Sequence, residues 1–175
     1  MRYEVLCSER CPRRGICFAD SIMKGSVMEP PKKHKVFRYQ NKVQWNGARR
    51  GLATAADKPE LGLASPPEFK GEAGHWTPED LFVACVNACT LLTFIAFAAH
   101  EGLAFTAYES SAEGVLEFAA GGYQFTEVVL QPRITVKSQE DAVLARAVLD
   151  SVHMACLVTR SIKSSVKIVP EFHIA

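Results

Sequence analysis

Three observations predict an α+β fold with mainly antiparallel strands. Short runs of alternating apolar and polar residues cluster before residue 65. A long apolar helix pattern fills residues 77–100, and two long strand patterns flank Gly121-Gly122, followed by a second helix and a last strand. Strands and helices do not alternate regularly, which argues against a doubly wound parallel sheet.

The first strand is read at residues 36–45, where VFRYQNKVQW alternates at period two. Gly47 and Gly51 bracket Arg49 and Arg50 in a turn, GLATAAD continues as a second strand, and Leu61, Leu63 and Ala64 suggest a third. Ser65-Pro66-Pro67, Gly71 and Gly74 mark a loop. Thr77 is a good N-cap, Pro78 suits the first helical position, and Glu79 and Asp80 complement the helix dipole. This first helix runs to about His100, and Gly102 ends it. Leu81, Ala84, Cys85, Ala88, Leu92, Ile95 and Ala99 share one face and are the predicted core stripe. Gly121-Gly122 signals a hairpin turn between strands at residues 103–118 and 123–137, and Pro132 predicts an edge or a bulge. Ser138 caps a second helix, QEDAVLARAVLDSVHMAC, and SSVKIVPEFHI reads as a final strand. A helix apolar nearly all round must be covered on most sides, so a second subunit is expected to help.

The 175-residue length favours one folded domain, assigned to residues 35–175. Residues 1–34 are basic and lack apolar periodicity; they read as a flexible extension, or as an over-long start with Met23 and Met28 as later initiation points. A net charge of +1 gives no electrostatic case for nucleic acid or an anionic membrane as partner. Residues 81–99 approach the length of a membrane span, but Asn87, Thr90 and Thr93 interrupt them, and a buried central helix is the expectation. The N-terminus lacks an apolar signal-peptide core, so a reducing, cytoplasmic location is expected, where persistent disulfides are rare. Cys7, Cys11 and Cys17 match no zinc-binding spacing and read as incidental.

Cys89 and Cys156 lie on the two separate helix patterns. Each alone reads as a small core residue; together they could also be a reactive thiol and its resolving partner. Cys85, one turn before Cys89, reads as packing. A rival reading joins Cys85, Cys89, His153 and Cys156 as zinc ligands. Another makes the protein a non-catalytic binder of a small apolar ligand.

The phrases WNGARRGLAT, SPPEFKG, WTPEDLFVACVNACTLLTFIA and HMACLVTRSIK resemble the OsmC/Ohr family, the osmotically inducible and organic hydroperoxide resistance proteins. The resemblance covers residue 36 to the C-terminus. It implies an OsmC-like intertwined homodimer, with antiparallel sheets wrapped around two long central helices and active sites at the subunit interface. It implies a cysteine-based peroxidase acting on organic hydroperoxides, with Cys89 as the peroxidatic cysteine and Cys156 as the resolving one. Glu79 matches the carboxylate at the helix start. The arginine is Arg50 if it directly precedes the glycine, Arg49 on the other branch's pattern; Arg50 is preferred. Trp76, Phe82, Leu92 and Phe94 would line an apolar substrate site. No bound cofactor is expected, and the reductant would be an external lipoyl-type dithiol. Leu157 departs from the family, where proline often follows the resolving cysteine, and Asn87 stands where other residue types are usual.

Overall fold

The computed structural model describes residues 34–175. The predicted basic extension, with Cys7, Cys11 and Cys17, lies outside the described residues except for His34. The fold set out below belongs to the unit from Gln40 to Ala175.

Three short strands, β1 (Lys42–Trp45), β2 (Arg50–Thr54) and β3 (Leu61–Ala64), form an antiparallel sheet in chain order. The first strand is therefore shorter than the predicted 36–45. Its partner β2 ends at Thr54, opposite Lys42, so the β1–β2 pairing begins only there. Val36, Phe37, Tyr39, Val43 and Trp45 are all exposed. The β1–β2 turn places Gly47 at φ 82° and Ala48 at φ 44°. Gly47 takes its positive φ without a Cβ clash, whereas Ala48 takes it with a side chain in place. The Trp45 indole Nε1 donates to the Ala48 carbonyl at 2.9 Å and fixes the turn that carries Arg49 and Arg50.

Helix α1 (Pro78–Glu101) starts on the predicted cap. Thr77 Oγ1 accepts from the Asp80 N–H at 3.1 Å, and the Asp80 carboxylate accepts from the Thr77 N–H at 3.0 Å. This reciprocal capping box satisfies two otherwise orphaned donors. Gly102, at φ 71°, closes the other end. The hairpin β4 (Phe105–Ala119) and β5 (Gly122–Val136) follows. Its two turn residues are Ala120 and Gly121, both at positive φ, one position earlier than predicted; Gly122 already pairs with Ala119. Two left-handed residues match the twist of the flanking strands.

Ser138 accepts from the Asp141 N–H and caps α2 (Gln139–Ala155) as expected. The predicted last strand is two, β6 (Ser165–Ile168) and β7 (Glu171–Ile174), both parallel to β5 and separated by Val169-Pro170. The architecture is α+β, as the sequence predicts, with a mixed second sheet. β5 is an inner strand, so Pro132 is neither on an edge nor at one of the β4–β5 bulges. It falls between the stretch paired with β6 (127–130) and that paired with β7 (133–136), where neither strand pairs with it.

The inner face of β5 supplies Val128, Leu130, Ile134 and Val136 to the core, at the period-two spacing of a strand. One cluster joins Ile134 and Val136 to Phe94 and Ala98 of α1 and to Ala145, Val148, Leu149 and Val152 of α2. A second gathers Val86, Val128 and Leu130 with Phe82, Val83 and Val166. The buried face of α1 is thus Val86, Thr90, Phe94 and Ala98, while Cys85, Ala88, Leu92, Ile95 and Ala99 of the predicted core stripe are exposed. Periodicity could not choose the face, because α1 is apolar on both. By length and composition alone α1 could cross a membrane, as could the segment from Gln139 to Ser161. In this fold α1 packs its Phe94 face against the sheet and α2.

Candidate active site

Cys89 sits near the middle of α1, and Cys156 caps the C-terminus of α2, where the backbone turns extended at φ −60°, ψ 117°. The packing of the two helices brings their sulfurs to 2.8 Å, with both thiols free. Cys156 is buried at 1% exposure; Cys89 is partly exposed. A turn at Thr159–Ser161 follows Cys156 and holds the Cys156 carbonyl through the Arg160 N–H at 3.1 Å.

Burial pushes the Cys89 thiol above its ordinary range, and the neighbouring Cys156 adds to the rise. Burial acts the same way on Cys156, but the Cys89 contact and hydrogen bonds from the Thr159 side chain and backbone and the Val158 backbone outweigh it, so the Cys156 thiol is lowered. The Cys156 thiol donates to the Cys89 sulfur. Thr159 and Thr93, whose Oγ1 is 4.0 Å from the Cys89 sulfur, were not singled out from sequence. Thr159 follows Cys156 by three residues and was the readable signal.

The other predicted groups lie elsewhere in the chain. Glu79 is in the first turn of α1, and its Oε2 is buried without a hydrogen-bond partner. It shares a cavity of about 270 Å³ with Arg49, Leu63 and Phe69. Arg49 donates to the Phe69 carbonyl at 2.7 Å. Arg50, the arginine preferred from sequence, instead pairs with Glu72 at 3.8 Å. Ten residues of helix separate Glu79 from Cys89, about 15 Å of rise. One chain therefore does not unite its carboxylate and arginines with its thiols.

The four predicted lining residues divide as well. Trp76 lines a larger cavity of about 1030 Å³ beside Phe69 and Tyr123. Phe82 stacks on Phe125 with centroids 4.5 Å apart, within the second core cluster. Leu92 is exposed on the outer face of α1. Phe94 is fully buried against Phe105 and Tyr108, within the first core cluster. Cys85, read as packing, is exposed. His153 lines a separate cavity with Arg146 and Asp150, and among the described residues no three His, Cys, Asp or Glu side chains come together as metal ligands. The zinc reading thus lacks its ligand set. Asn87 donates from Nδ2 to the Ser110 carbonyl at 3.2 Å, tying α1 to β4.

A family model described as OsmC-like protein matches residues 71–171, more than half of the chain and both cysteine-bearing helices. The chain belongs to the OsmC-like family. Solved OsmC-like proteins share its fold. An OsmC-like protein of unknown function from Vibrio cholerae superposes with a TM-score of 0.72 at 19% identity, covering 77% of this chain and 99% of that one. An organic hydroperoxide resistance protein OsmC from Legionella pneumophila gives 0.64 at 24% identity, over 81% and 100% of the two chains. One from Elizabethkingia anophelis, a hydroperoxide resistance protein with thiocyanate bound, gives 0.64 at 16% identity, over 82% and 100%. No curated protein matches the sequence.

Proposed function

We propose that this OsmC-like protein is a thiol peroxidase that reduces organic hydroperoxides to alcohols. The observation that carries the reading is the 2.8 Å approach of the Cys89 and Cys156 sulfurs. Cys89 is the more accessible of the two and so the one a peroxide can reach. Its thiolate attacks the distal peroxide oxygen, the O–O bond breaks, and the alkoxide leaves with a proton as alcohol. The resulting sulfenic acid lies against Cys156, whose thiolate attacks it, releasing hydroxide as water and closing a disulfide. A dithiol, lipoyl-type by family resemblance, takes the oxidation and restores both thiols.

The thiolate needs a cation that one chain does not bring to it. A homodimer supplies it, with Arg49 and Glu79 of one subunit beside Cys89 of the other. Two features support this arrangement: the exposed apolar stripe of α1, and the buried Glu79 Oε2 with no partner of its own. Arg49 is favoured over Arg50 because it shares the Glu79 cavity. A guanidinium stays charged there and stabilises both the thiolate and the charge developing on the peroxide. Leu92 and Trp76 then face the substrate from the two subunits, an apolar setting suited to an organic hydroperoxide. The chemistry belongs to a reducing, cytoplasmic setting.

The test is coupled turnover of cumene or tert-butyl hydroperoxide with a lipoyl-reducing system. Cys89→Ser abolishes turnover, and Cys156→Ser stalls after one oxidation at the sulfenic or an over-oxidised state. Turnover indifferent to Cys89 would sink the reading.

A further inference from the structure

The two sulfurs of the pair are not equally reachable, and this sets the direction of the reductive half-reaction. Resting on the peroxidase reading above, we propose that the resetting thiol attacks Cys89, and that Cys156 is the sulfur expelled. Cys156 is 1% exposed, and what buries it is its own chain: the end of α2 with Val152, and the turn carrying Val158 and Thr159. Cys89 keeps an accessible side on α1. An incoming thiolate needs a line to the sulfur it attacks, and only Cys89 offers one.

The leaving group agrees with this direction. Thiol–disulfide exchange runs faster when the departing thiol is the more acidic one. Contacts from Thr159 and the Val158 backbone favour the Cys156 thiolate. The first step is attack of the reductant thiolate on the Cys89 sulfur; the Cys89–Cys156 bond breaks and Cys156 leaves as thiolate. The second thiol of the reductant then attacks its own sulfur in the mixed disulfide and expels the Cys89 thiolate. Two electrons pass to the protein, and the reductant departs as its cyclic disulfide.

The full-length protein is oxidised with diamide, which forms the disulfide whether or not the protein turns over peroxide. It is pulsed briefly with mercaptoethanol, quenched in acid, alkylated with a maleimide and mapped by peptide mass spectrometry. Mercaptoethanol on Cys89 with maleimide on Cys156 is expected in about tenfold excess over the converse. An even split, or mercaptoethanol mainly on Cys156, overturns the proposal. Exchange between the two sites is controlled with Cys156→Ser and Cys89→Ser, compared for native-state reaction of the remaining thiol with an aromatic disulfide. Cys89 reacts faster on this proposal, and faster reaction at Cys156 overturns it. Failure of diamide to join the sulfurs overturns both this proposal and the peroxidase reading. A correct direction without peroxide turnover refutes the peroxidase reading alone.

Discussion

Glu79 and Cys89 stand on the same helix ten positions apart, about 15 Å of rise, so they do not meet within one chain. Among the described residues the carboxylate end holds a buried oxygen without a hydrogen-bond partner and an arginine in the same cavity, while the groups acting on the Cys89 thiol are Cys156, the Val158 backbone and Thr93. Each half lacks what the other has. The exposed α1 stripe continues past Cys89, with Leu92 at 66% and Ile95 at 43% exposure.

A charge on that stripe tests the need for a second subunit. Leu92→Arg leaves the protomer core untouched, since Leu92 packs on nothing buried there. It should convert dimer to monomer by light scattering, keep the helical circular dichroism, and cut peroxide turnover by about a hundredfold or more, the cost typical of a lost charge-stabilising donor. Full activity in a monomer would refute the shared site.

The two arginines should separate cleanly. Arg49→Ala removes the guanidinium that shares the Glu79 cavity and should lower kcat/KM for an organic hydroperoxide by about 100- to 1000-fold. Arg50→Ala breaks a half-exposed pair with Glu72, worth about 0–1 kcal/mol, and should leave kcat/KM within a few-fold. The reverse ranking would return the role to Arg50.

The sulfur pair makes a pH prediction whose sign follows from the contact. Beyond burial, Cys156 is what raises Cys89, and Cys89 is among the groups that lower Cys156. In Cys156→Ala the Cys89 titration should therefore move down, while still held above the ordinary range by burial. In Cys89→Ala the Cys156 titration should move up. Site-resolved alkylation rates against pH, read by peptide mass spectrometry, report both. Unchanged titrations in both variants would mean that the thiols do not interact in solution.

Helix ends were legible because capping is local chemistry. Thr77 with Asp80 and Ser138 with Asp141 lie three residues apart, and their hydrogen bonds need nothing beyond that turn. The two cysteines of interest could be picked out because each sat on a helix pattern, but their contact was implied only by family resemblance. What was not legible depended on partners distant in sequence. Leu92 and Phe94 have similar apolarity, and only the placement of the sheet and α2 buries one and exposes the other. The strand at residues 36–45 has the right alternation, yet strand needs an opposite backbone, and β2 provides one only from Lys42. Arg49 and Arg50 are neighbours whose directions are set by a turn with Ala48 at φ 44°, a conformation that alanine's own preferences do not predict.

Phe94 offers the sharpest test of which α1 face is core. Its ring is fully buried, 5.3 Å from the rings of both Phe105 and Tyr108, and it joins α1 to β4, β5 and α2 in one cluster. Phe94→Ala deletes that ring from a packed interior that can collapse only in part, and should cost about 3–5 kcal/mol in urea unfolding. Phe94→Leu keeps most of the volume and should cost less while leaving KM for hydroperoxides unchanged, because the ring touches no substrate. A residue lining the substrate site would behave in the opposite way, with a shifted KM and nearly normal stability. That pattern at Phe94 would restore the lining role that its resemblance to the family implied and would require α1 to be rotated from the orientation described above.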